Sequence, residues 1–139
     1  MKYLGIDWGD KWVGMAISDA IGMTCRPYKT VATPQSFNAI IEIVALEKIT
    51  TIVAGIPITM GGTVSDQTRR AQQQTAMLKQ KLADAGHIIE IIEWDERLSS
   101  SHAQTIAQQK GEKKSDIIHA RAAAFILQNY LDHQAFDRA

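Results

Sequence analysis

Residues 51–56, Thr-Ile-Val-Ala-Gly-Ile, form an unbroken apolar run rich in β-branched side chains, and Pro57 stops it. Such a run suits a strand covered on both faces, as in a parallel sheet held between helices. The neighbouring segments supply the rest. Tyr3 to Asp7 and Trp12 to Ser18 read as two strands around a tight turn at Gly9 and Asp10. A short third strand is expected near Tyr28 to Val31. Thr33-Pro34 predicts a helix start, with Thr33 as cap and Pro34 at the first helical position, running to about Glu47. A long helix is predicted from about Val64 to Ala85, closed by Gly86, then a strand over Ile88–Trp94. Helices over Ser99–Gln108 and from Asp116 to about Leu131 complete the pattern. Strands alternating with helices after a hairpin-like start predict one α/β domain, residues 1–139, with mixed strand order.

Composition narrows the function classes. At 139 residues the chain has about one domain's length. No apolar run reaches the roughly 18 residues of a membrane span, and the early strand pattern leaves no room for a secretory signal. No membrane partner is expected. Cys25 is the single cysteine, so an internal disulfide is excluded and a reducing cytoplasm fits. Fifteen basic residues balance fifteen acidic ones. Zero net charge argues against strong non-specific binding to a polyanion, so any nucleic-acid reading must rest on a site.

The acids at strand ends offer such a site. Asp7 ends the first strand, and Asp95 and Glu96 end the last. Ligands of open α/β sheets gather at the carboxyl ends of strands. Carboxylates brought together repel and raise one another's pKa, and a hard divalent cation, Mg²⁺ or Mn²⁺, relieves the repulsion. One or two such ions suit phosphodiester chemistry. Gly5 lets a neighbouring backbone approach the first strand, and Gly9 lets a bulky substrate approach the ions.

Four blocks carry a resemblance. They are LGIDWGDKWVGMAISD (4–19), GIPITMGGT (55–63), WDERLSS (94–100) and ARAAAFILQNYL (120–131). In this order they resemble the YqgF/RuvX family, Holliday junction resolvases also described as pre-16S rRNA nucleases. The resemblance implies a ribonuclease H-like fold, a five-stranded mixed sheet flanked by helices. It implies a metal-dependent endonuclease of the bacterial cytoplasm, acting in 5′-end maturation of 16S rRNA or on branched DNA. Asp7 would be the central metal ligand, Glu96 the second and Asp95 a neighbour, with Arg97 on a substrate phosphate. Lys110, Lys113, Lys114 and Arg121 would lie on the substrate face beside them.

The third acid departs from the family pattern, which has Asp where this chain has His119. Either His119 is itself a ligand, tilting preference towards Mn²⁺, or Asp116, one turn earlier, reaches the metal. His119 also suits a general base. A weakened site would leave a nucleic-acid or ribosome-associated binding module. Trp8 beside Asp7 reads as half-buried packing, with base stacking as the alternative. The opening also resembles the phosphate loop of actin-like kinases, but those close two domains over ATP. Ribosome association and a monomer or weak homodimer complete the expectations on partners.

Overall fold

The computed structural model describes residues 1–58, 61–96 and 115–138, with side chains from 118 to 137 in the last of these. Five strands form one sheet: β1 (Tyr3–Asp7), β2 (Trp12–Ser18), β3 (Cys25–Ala32), β4 (Thr51–Ile56) and β5 (Glu90–Asp95). Their spatial order is β3-β2-β1-β4-β5. β1 pairs antiparallel with β2 and parallel with β4, β2 runs antiparallel to β3, and β4 runs parallel to β5. The described helices are α1 (Ser36–Glu47), α2 (Asp66–Asp84) and α3 (Ser115–Arg138).

The central position of β1 and β4 explains their composition. Leu4, Ile6, Val13, Met15, Ile52, Ala54 and Ile56 point to one face, where they pack with Ile40 and Val44 of α1 and Leu78 and Leu82 of α2. The alternate residues Tyr3, Ala16 and Val53 point to the other, under Ala123, Ile126, Leu127 and Tyr130 of α3. Every residue of β4 is buried, as its continuous apolar pattern demands. No described helix is long and apolar enough to cross a membrane.

Small residues let α3 sit close to the sheet. A Cβ on Gly5 would lie 2.8 Å from Leu127 Cβ and 3.0 Å from the Ala123 carbonyl oxygen. On Gly14 it would collide with the His119 carbonyl. Gly5 thus admits a helix to β1, as the sequence suggests.

Several local expectations need correction. Thr33 caps nothing: a 3₁₀ turn, Thr33–Gln35, precedes α1, and its own N-cap, Ala32, makes no side-chain bond. The Thr33 hydroxyl instead donates to the Gly9 carbonyl at 2.8 Å, tying the β1–β2 turn to the end of β3. β3 is twice the expected length because it pairs with β2 through a bulge beside Met15 and Ala16. α2 begins at a capping box formed by Ser65 and Thr68, and Gly86, at φ 89°, follows its C-terminal end as expected. The helix expected over 99–108 lies outside the described residues.

Candidate active site

Strand register builds a cleared row around one acid. Asp7 pairs with Gly14 on β2 and with Gly55 on β4, and Gly55 pairs in turn with Trp94 on β5. Side chains of paired residues share a sheet face, so Asp7 stands between two positions without side chains, on the α3 face. A core strand can end on this acid because its neighbours leave room at the sheet's carboxyl edge.

Two further polar groups enter that room. Glu96, immediately after β5, shares a hydrogen bond with Asp7. Its side chain occupies the space a Cβ on Gly55 would need, 2.8 Å from Glu96 Oε1. His119 arrives from α3, with Nδ1 3.9 Å from Asp7 Oδ2. The close seat of α3 on Gly14 fixes the backbone of this histidine. The Asp7 side chain is 14% exposed and that of His119 30%, so both reach solvent from a mostly enclosed position.

Electrostatics follow from this crowding. Burial pushes the Glu96 carboxyl up to about 8, and the Asp7 charge, the hydrogen bond with Asp7 and the Asp95 charge add to the effect. This crowding favours the protonated form of the Glu96 carboxyl. Two acids sharing one proton are the donor chemistry of a hard cation, which takes the proton's place. Asp7 and Glu96 fit such an ion. Among the described residues, no three His, Cys, Asp or Glu side chains cluster tightly enough to hold a metal by themselves.

The other sequence candidates separate. Asp95 pairs with Ile56, whose side chain joins the α1–α2 core, so strand alternation directs it away from Asp7's face. It acts on the site through its charge on Glu96. Asp116 lies in the first turn of α3, its side chain outside the described residues, as are Arg97, Lys110, Lys113 and Lys114. Arg121 is exposed on α3, two residues from His119 and so on another side of the helix. Gly9 forms the tight β1–β2 turn, where a Cβ would strike the Trp12 carbonyl. Trp8 does not line the site: it is buried, its indole N–H donating to Thr75 Oγ1 at 2.9 Å and its ring edge-on to Phe37. Alternation settles this, since consecutive residues Asp7 and Trp8 must face opposite ways. Sequence reading missed the space-making roles of Gly14 and Gly55, which only register reveals.

A mixed sheet in this order, with acids converging at its carboxyl edge, defines the ribonuclease H-like class. Solved structures agree on the fold: RuvC of Thermus thermophilus, in complex with Holliday junction substrate, superimposes with a TM-score of 0.61. It covers 96% of each chain at 12% identity. The family model RuvX, described as Holliday junction resolvase, matches residues 1–133, and the chain belongs to this family. Relatives bearing the name "Putative pre-16S rRNA nuclease" include one from Ruminiclostridium cellulolyticum, 36% identical over 97% of this chain and 96% of its own. Another, from Clostridium tetani, is 37% identical over 95% and 96%.

Proposed function

We propose that this chain is a metal-dependent nuclease, a single domain over residues 1–139 that hydrolyses phosphodiester bonds of structured nucleic acid. The observation that carries the reading is the approach of Glu96 to Asp7 in a row cleared by Gly14 and Gly55. The names of the relatives support a role in 16S rRNA maturation, which we place at the 5′ end, and the family description supports branched DNA as the alternative substrate. Such a role implies work in the cytoplasm, on or near the ribosome.

Asp7 and Glu96 would hold the cation, with Asp116 or His119 as a third donor. A bound Mg²⁺ or Mn²⁺ supplies charge stabilisation for a phosphodiester under in-line attack by water. The protein's part is positional. Asp7 is fixed by strand pairing on both sides, and Glu96 gives up its proton when the site fills. Where Asp116 is the third donor, His119, 3.9 Å from Asp7, would be free to take a proton from the attacking water. Arg97, Lys113, Lys114 and Arg121 are proposed to hold substrate phosphates. The products would be a 5′-phosphate and a 3′-hydroxyl.

His119, where the family pattern has Asp, supports a second reading, a nucleic-acid or ribosome-associated binding module whose site has weakened. Mn²⁺ titration and cleavage of a precursor rRNA fragment, on wild type and Asp7→Asn, separate the two. A nuclease binds the ion, cleaves, and loses both in the variant while its circular dichroism is unchanged. Cleavage that survives in Asp7→Asn overturns the assignment. Negligible ion binding by both proteins favours the module.

A further inference from the structure

The chain's three tryptophans have different surroundings. Trp8 and Trp94 each donate an indole hydrogen bond, to Thr75 and Asn129, and each meets an aromatic ring edge-on, Phe37 and Tyr130. Trp12 makes no side-chain hydrogen bond or ring contact among the described residues, and 39% of its surface is exposed against 6% for Trp8. Its location is defined by register. Gly14 faces α3 and pairs with Asp7. Trp12 lies two residues earlier on β2, hence on the same face and beyond Asp7 at the open edge of the sheet. Diagonal neighbours of this kind lie roughly 7–8 Å apart, within an aromatic side chain's reach. Opposite Trp12 is Gly9, which adds no side chain to the space between them.

We propose that Trp12 is a stacking platform for an unpaired nucleobase of the substrate, adjoining the phosphate held at Asp7. The inference rests on the nuclease reading above and deepens it. With fifteen basic residues against fifteen acidic ones, net charge adds little to binding beyond the local phosphate contacts proposed above. A π-face supplies affinity by another route, tolerant of base identity. It also selects, because a paired base keeps its faces stacked within the helix and only a splayed or single-stranded base offers one. The site thereby prefers a nucleotide at the junction of paired and unpaired strands.

The test compares wild type, Trp12→Ala and Trp12→Phe, each full length, for binding to two probes of equal phosphate count. One is a hairpin with a single-stranded 5′ extension, the other a blunt duplex, each made in RNA and in DNA. Trp12→Ala should weaken binding of the extended hairpin by about 5- to 150-fold, the range for loss of one stacked base, and leave the duplex within twofold. Trp12→Phe, which keeps an aromatic face, should recover most of the loss. Tryptophan emission should be quenched by the extended hairpin in wild type, and much less in Trp12→Phe. The RNA and DNA arms identify which polymer supplies the base. Trp12→Ala matching wild type on both probes, or weakening both equally, overturns the stacking role alone. Wild type that binds neither probe overturns the nuclease reading, and this inference with it.

Discussion

Gly55 and Glu96 share one space: a Cβ on residue 55 would stand 2.8 Å from Glu96 Oε1 and 3.2 Å from its Cγ. The glycine next to the carboxyl end of β4 is therefore a condition for the Glu96 carboxyl, just past β5, to reach Asp7. Gly55→Ala should push Glu96 away from Asp7 and press on Ile126 as well. Overpacking of this kind costs about 1–3 kcal/mol, measurable by urea denaturation. Cleavage should fall further than stability, because the acid pair is separated. A variant with wild-type cleavage would show that Glu96 reaches Asp7 by another route.

The Glu96 carboxyl gives a pH signature. Its pKa rises on folding from 4.5 to about 8. Between those values the folded state keeps a proton that the unfolded chain releases, so this group's contribution to stability falls as pH rises. The slope approaches about 1.4 kcal/mol per pH unit for one proton. Thermal melts from pH 5 to pH 8.5 without divalent ions should show wild type losing stability relative to Glu96→Gln, which has no proton to lose. Mn²⁺ should bind more tightly as pH rises through the same window, because binding displaces that proton. A Glu96→Gln variant whose stability runs parallel to wild type would contradict the raised pKa.

Thr75→Val tests the assignment of Trp8 to the core. The Trp8 indole N–H donates to Thr75 Oγ1 in a buried setting. Removing the acceptor leaves that donor unsatisfied and should cost about 1–3 kcal/mol. Affinity for single-stranded probes should not change at a temperature where the variant is folded. Weaker binding without loss of stability would return Trp8 to the site.

Cys25 should be inert. Burial pushes its thiol up to about 11, and Sγ lies 3.1 Å from the Ala124 carbonyl oxygen under α3. At pH 8 only roughly one thiol in a thousand is ionised, and the thiolate is the reactive form. Alkylation by iodoacetamide should be slow in native protein and fast in guanidinium. Equal rates would mean that α3 does not cover this end of β3.

Much of this architecture is legible from residue order. The continuous apolar pattern of residues 51–56 demands a covered strand, and β4 is buried throughout. Gly86 marks the end of α2 because a left-handed backbone favours that residue. The convergence of Asp7 and Glu96 is expected of adjacent parallel strands; the strands are parallel but β4 lies between them, and Glu96 crosses the gap over Gly55. Thr33 misleads because a hydroxyl before proline has two uses, and a distant carbonyl at Gly9 takes it. Of the two readings of Trp8, packing and base stacking, packing holds, because strand alternation places it on the face opposite Asp7. Gly14 and Gly55 acquire meaning only when paired with Asp7, and pairing is a long-range fact.

The narrow seat of α3 against Gly5 and Gly14 has a consequence for timing. The helix that carries His119 is the last described element, while Asp7 belongs to the first. A nascent chain emerging from the exit tunnel presents the first acid long before the histidine exists, and before α3 covers that side of the sheet. Such a fragment has no assembled centre. The centre is thereby completed only as the final segment docks.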